Sequence, residues 1–91
     1  MNFIIEENEI YLLNDNNEKI AFVKFPSESD TVVKVTSTYV SDVLRGQGVA
    51  SKLMHLLYEE LKRTNRKAIM ICGYAVNWFD KNIDKQDILS K

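Results

Sequence analysis

Arg45-Gly46-Gln47-Gly48-Val49-Ala50-Ser51 joins a β-branched run to a stretch of helical period. Two glycines at the head of a helix aim unpaired N–H groups at one point. The first turn leaves about four such donors without partners, and the aligned peptide dipoles add roughly half a positive charge there. Glycine carries no Cβ, so backbone and ligand can meet closely. A loop of this kind cradles a phosphate or pyrophosphate. Arg45, at its mouth, can add a charge-assisted hydrogen bond.

Spacing excludes two phosphate motifs. A P-loop needs a glycine directly before its Lys-Ser/Thr pair, and Lys52 is preceded by Ser51. A dinucleotide fingerprint needs a third glycine where Ser51 stands, and the chain is too short for a doubly wound sheet. The bland alternative is that Gly46 and Gly48 only shape a strand-to-helix turn.

Cys72 closes a short apolar run, and Tyr74 follows it. A thiol there can accept an acyl group or give up a proton. A lone cysteine is also a common core residue, and no histidine or carboxylate adjoins Cys72 in sequence to activate it. Tyr74 can donate a proton or orient a water; its plain alternative is packing where strand meets helix. Tyr39 has the same two readings. His55 is expected at a rim or on the surface, and Glu59 and Glu60 on a solvated helix face. Trp78, near Val76 and Phe79, offers an exposed contact for a partner or substrate.

The elements that must hold these residues are legible from period. Residues 3–6, 10–13 and 19–25 alternate as strands, with Asn14-Asp15-Asn16-Asn17 as a hairpin turn. Residues 31–40 are mostly β-branched and predict one further strand. From Gly48 to about residue 64, Val49, Ala50, Leu53, Met54, Leu56, Leu57, Tyr58 and Leu61 recur at helical spacing. Residues 68–72 predict a strand buried on both faces, parallel to the 31–40 strand across a right-handed helical crossover. Residues 75–82 predict a short helix with Val76, Phe79 and Ile83 on one face, followed by a turn holding Ile88 and Leu89. The fold class is therefore α+β: a mixed sheet of about five strands, an antiparallel meander plus one β-loop-α-β unit, with a short C-terminal helix.

Composition narrows the partners. The 91 residues are expected to form one domain, 45% hydrophobic and 27% charged. Twelve basic and 13 acidic side chains give a net charge of −1, so no global basic field recruits nucleic acid or an anionic membrane. Any anion site must be local. One cysteine and one histidine exclude an intramolecular disulfide and a zinc site of the usual type, so no metal is expected. The N-terminus lacks the basic and long apolar regions of a signal peptide, no apolar run approaches a membrane span, and the cytoplasm is the expected compartment.

Arg45-x-x-Gly48-x-Ala50 between strand and helix resembles the acyl-CoA signature, Q/R-x-x-G-x-G/A, of GCN5-related N-acetyltransferases. Thr38-Tyr39-Val40, Leu44 to Leu53 and Cys72-x-Tyr74 extend the resemblance to the minimal members of that superfamily. It covers about residues 31–79; the first 30 residues match only in their meander. A histidine often precedes the Thr38 position in such proteins, and here Ser37 stands instead. The resemblance implies acetyl-CoA as co-substrate and an amine, small molecule or protein, as acceptor. It implies that Arg45, Gly46, Gln47, Gly48, Val49, Ala50 and Ser51 hold the pyrophosphate. Val40 and its neighbours would offer a strand edge to the pantetheine arm and stabilise the developing oxyanion. Cys72 and Tyr74 would face the thioester. No general base stands out, Asp42 being the nearest candidate. A second function stays open: a CoA-binding module without catalysis, acting through a partner.

Overall fold

The computed structural model describes residues 2–90. The expected meander forms from β1 (Phe3–Ile5), β2 (Glu9–Leu13) and β3 (Lys19–Lys24), each antiparallel to the next. In the β2–β3 turn the Asn14 carboxamide oxygen accepts from the N–H groups of Asn16 and Glu18, at 2.8 and 3.0 Å. Asn17 sits at φ 62°, a left-handed conformation that asparagine tolerates. Ile10, Leu12, Ala21, Val23 and Phe25 are buried, which is the period-two alternation of a sheet with one covered face.

The single strand expected over residues 31–40 is in fact two, β4 (Val32–Val35) and β5 (Ser37–Val40). Lys24 faces two residues at the break. It pairs with Ser37, and its carbonyl also accepts from the Thr36 N–H at 3.1 Å. Two residues opposite one is a β-bulge, which bends the strand and sharpens its twist. The bulge also reverses the side-chain phase. Val33 and Val35 are buried before it; after it Val40 packs on the core and Tyr39 is 46% exposed.

The two halves then separate. β5 closes a four-stranded sheet in the order β1-β2-β3-β5, while β4 pairs in parallel with β6 (Lys67–Met70) in a second, two-stranded sheet. Helix α1 (Val49–Arg63) makes the crossover to β6. Its Val49, Leu53, Met54, Leu57 and Leu61 are buried. β6 is covered on one face only, contrary to expectation. Ala68 is buried but Lys67 and Ile69 are exposed, because alternate side chains of a strand point to opposite faces and only the Ala68 face meets the core.

Glu60 is likewise not on a solvated face. It is 8% exposed, and its carboxylate accepts from Arg63 Nε and Nη2 at 2.9 and 2.7 Å. This bidentate pair holds the Glu60 pKa below the usual glutamate value against the opposing effect of burial. A depressed folded-state pKa stabilises above the unfolded value, about 4.3, and the gain is lost as pH falls through the folded value. Glu60→Gln should therefore flatten the acid limb of a stability-versus-pH curve and cost about 1 kcal/mol at neutral pH, since Arg63 is largely solvated. Urea melts at several pH values check this.

Helix α2 (Gly73–Lys81) follows β6. Its buried face is Ala75, Trp78 and Phe79, not the expected Val76, Phe79 and Ile83. Val76 is 37% and Ile83 77% exposed, because a 3-10 turn (Ile83–Ile88) starts after Asn82 and takes Ile83 off the helix. That turn buries Ile88 as expected. No helix among the described residues is long and apolar enough to cross a membrane.

Candidate acyl-CoA site

The glycine loop has the local geometry its residues demand. Ser41 caps a 3-10 turn (Asp42–Leu44) through its hydroxyl. Gly46 and Gly48 then take φ of 81° and 69°, left-handed values that cost other L-residues about 1–2 kcal/mol. Gly48 is the N-cap of α1 and has no side chain to cap it. The first helical bond runs from the Lys52 N–H to the Gly48 carbonyl at 3.0 Å. Among the described residues, the N–H groups of Gly46, Gly48, Val49, Ala50 and Ser51 thus have no backbone partner. The space that a Cβ would occupy at either glycine is open to beyond 4 Å. Successive free amides around left-handed residues form an anion nest.

The side chains around this nest divide by role. Val49 is buried and anchors the loop in the core. Gln47 is exposed, and with Phe3, Gly48, Val49 and Lys52 it lines a cavity of about 400 Å³ beside the loop. Arg45 is 79% exposed, and its guanidinium donates to Asp42 at 3.0 Å. Asp42 is thereby engaged as an ion-pair partner. A larger cavity, about 720 Å³, lies at the far end of α1, lined by Glu6, Glu7, Glu28 and Asp30 among others. Its carboxylates outnumber Arg63 and Arg66, which also line it, and disfavour an anion there.

The split between the sheets supplies the second half of the site. In the β3–β5 ladder the Ser41 N–H bonds to the Ile20 carbonyl at 2.8 Å. Antiparallel pairs alternate between bonded and non-bonded, so Val40 and Thr38 direct their N–H and C=O groups away from β3, toward the open edge. Across the gap, the N–H groups of Ile71 and Cys72 both donate to the Val35 carbonyl, at 3.0 and 2.9 Å. This places Cys72 against the end of β4 and at the N-cap of α2.

Cys72 is half-buried, and its Sγ lies 3.5 Å from Thr38 Oγ1. Burial pushes the thiol up. The Ala75 amide, the Thr38 hydroxyl, and the amides of Tyr74 and Thr38 outweigh it, and the net pKa is below the ordinary thiol value. The sulfur closes no cap hydrogen bond with α2, so these amides act as dipoles on the thiolate. Tyr74, on the first turn of α2, is 41% exposed, and burial raises its phenol.

Trp78 is buried rather than an exposed contact. Its indole N–H donates to Ser51 Oγ at 3.0 Å, and its ring meets His55 edge-on at 4.9 Å. It ties the helix that carries Cys72 to the first turn of α1. Ser51 therefore has its hydroxyl oxygen engaged while its N–H stays free. Sequence reasoning assigned no role to Thr38 or Lys52, and it placed Trp78 on the surface. Thr38 and Trp78 act through contacts between residues far apart in the chain, which no local pattern reveals.

An outer strand separated from a parallel pair, with an amide nest heading the crossover helix, defines a split α+β fold with a candidate anion site. The profile of the GCN5-related N-acetyl-transferase family matches residues 9–88. The chain belongs to that family and is a small member of it. The NMR structure of a GCN5-like protein from Staphylococcus aureus is 29% identical, with a TM-score of 0.80 over 98% of this chain and 87% of that one. Tetrahymena GCN5 shares the fold at 15% identity and a TM-score of 0.64, over 91% of this chain and 59% of that one. The N-acetyltransferase YhbS of Escherichia coli, solved in complex with CoA, gives 20% identity and a TM-score of 0.59 over 69% of this chain and 38% of that one. No curated protein matches the chain.

Proposed function

We propose that the protein transfers an acetyl group from acetyl-CoA to an amine, with Cys72 at the reacting centre. The observation that carries this is the arrangement of the split: open amides at Gly46, Gly48, Val49, Ala50 and Ser51 on one side, the free edge of β5 along it, and Cys72 at its floor. The pyrophosphate would take the free N–H groups of Gly46, Gly48, Val49, Ala50 and Ser51, with Arg45 contributing once it exchanges Asp42 for the ligand. The cavity beside Gln47 suits the ADP end, and Lys52 on its wall suits a phosphate. The amide-rich pantetheine arm would pair with the Val40 edge, bringing the thioester toward Cys72.

In direct transfer the neutral amine attacks the thioester carbonyl. A C–N bond forms, the C–S bond breaks, the CoA thiolate takes a proton from Cys72 or Tyr74, and the surplus proton on the attacking nitrogen restores that residue. In two-step transfer Cys72 Sγ attacks first and its proton leaves with CoA; the amine then takes the acetyl, breaking the Cys72 C–S bond, and its surplus proton returns to Cys72 Sγ. The half-buried, easily ionised thiol suits either route. Its reduced state suits the cytoplasm, the compartment we propose.

A non-catalytic CoA-binding module is the second reading. It is favoured by one observation: no carboxylate or histidine among the described residues hydrogen-bonds to Cys72. Intact-protein mass spectrometry after incubation with acetyl-CoA, alongside assays on a panel of amines, separates the two. We expect an acetyl adduct or amine turnover by the wild type, and loss of the adduct with at least a tenfold fall in turnover in Cys72→Ala. CoA binding with neither adduct nor turnover supports the module.

A further inference from the structure

We propose that Thr38 is the positioning residue for Cys72, holding the thiol in place across the split and favouring its ionised form. This rests on the reading that Cys72 lies at the reacting centre. Thr38 belongs to β5 of the four-stranded sheet, and Cys72 follows β6 of the two-stranded sheet. Their contact at 3.5 Å, between residues 34 apart in sequence, joins the two sheets where they part.

The bulge at Thr36–Ser37 makes this contact available. With unbroken alternation from Val33 and Val35, Thr38 would face the other way; one inserted residue turns it inward. Threonine is stiff at χ1, so the hydroxyl is held with little rotamer freedom. A hydroxyl can accept from a thiol and donate to a thiolate, so the contact persists through ionisation. The Thr38 backbone N–H, directed away from β3, adds a second dipole on the same sulfur.

The leading influences on the Cys72 thiol, burial apart, are backbone amides and the Thr38 hydroxyl, with no charged side chain among them. The only titratable group on these elements close to it in sequence is Tyr74, whose phenol is raised and stays neutral where the thiol titrates. Dipoles and one hydroxyl therefore take the place of the usual basic partner of a reactive cysteine.

The test uses the chain's single cysteine. Alkylation by iodoacetamide, followed from about pH 6 to 10 without CoA, reports the Cys72 thiolate alone. Thr38→Val keeps shape and β-branching but removes the hydroxyl. We expect its rate profile to move to higher pH and its rate near neutrality to fall about three- to tenfold. Thr38→Ala should move the same way, and Thr38→Ser should stay within about twofold of wild type. A Thr38→Val profile superposed on wild type overturns the proposal. So does faster alkylation in that variant, the sign of a thiol merely uncovered by a loosened fold. Failure of the acetyltransferase reading would appear separately, as neither acetyl adduct nor amine turnover by the wild type with acetyl-CoA, because alkylation needs no CoA.

Discussion

Gly48→Glu should abolish CoA binding, lowering affinity by about a hundredfold or more, on the order of 3 kcal/mol. Two effects combine. The left-handed φ of 69° strains any residue with a Cβ, and a carboxylate at the N-cap competes with the ligand for the same amides. Gly48→Ala separates them. It carries the strain without the charge, so it should lower stability by about 1–2 kcal/mol while costing less than about tenfold in affinity. The Cβ itself meets nothing within 4 Å, so steric filling by protein atoms plays no part. Calorimetric titration with CoA, beside thermal melts, distinguishes the two variants. Near-wild-type affinity in Gly48→Glu would place the anion elsewhere.

Phe79→Ala should be the most damaging single core truncation for the site. Phe79 is 1% exposed and packs edge-on against Trp78 at 4.9 Å. Its carbonyl also accepts from Gln86 Nε2 at 3.0 Å, tying α2 to the C-terminal 3-10 turn. Emptying a buried phenylalanine site costs roughly 3–5 kcal/mol. A chain of this size has on the order of 5–14 kcal/mol in all. The melting temperature should fall by roughly 12 °C or more. A loss below about 1 kcal/mol, read from urea melts, would mean that α2 is not held by this ring.

Much of this arrangement is legible in the residues themselves. The meander follows from alternation and from the Asn14–Asn17 turn. The nest follows from two glycines placed before a helix of strong period. Three features escape local reading for physical reasons. Residues 36–38 are as β-prone as their neighbours, so a bulge set by pairing with Lys24 leaves no mark in composition. Nine residues of helix fix the phase of α2 poorly, and the change to a 3-10 turn at Ile83 defeats extrapolation. Glu60 looks like a solvated acid until Arg63, one turn later, is seen to satisfy it. The same limit applies to Cys72. Its type and position mark it as a candidate, but what sets its ionisation comes from Thr38 across the split.

The central claim is that the amides from Gly46 to Ser51 and the free edge of β5 receive acetyl-CoA together. Backbone amide chemical shifts of the whole chain, followed during titration with CoA, test it most directly. Saturable changes should be largest at Gly46, Gly48, Val49, Ala50 and Ser51, and should extend to Val40. The absence of saturable changes there, or changes centred on the acidic cavity of Glu6, Glu7, Glu28 and Asp30 at the far end of α1, would contradict it.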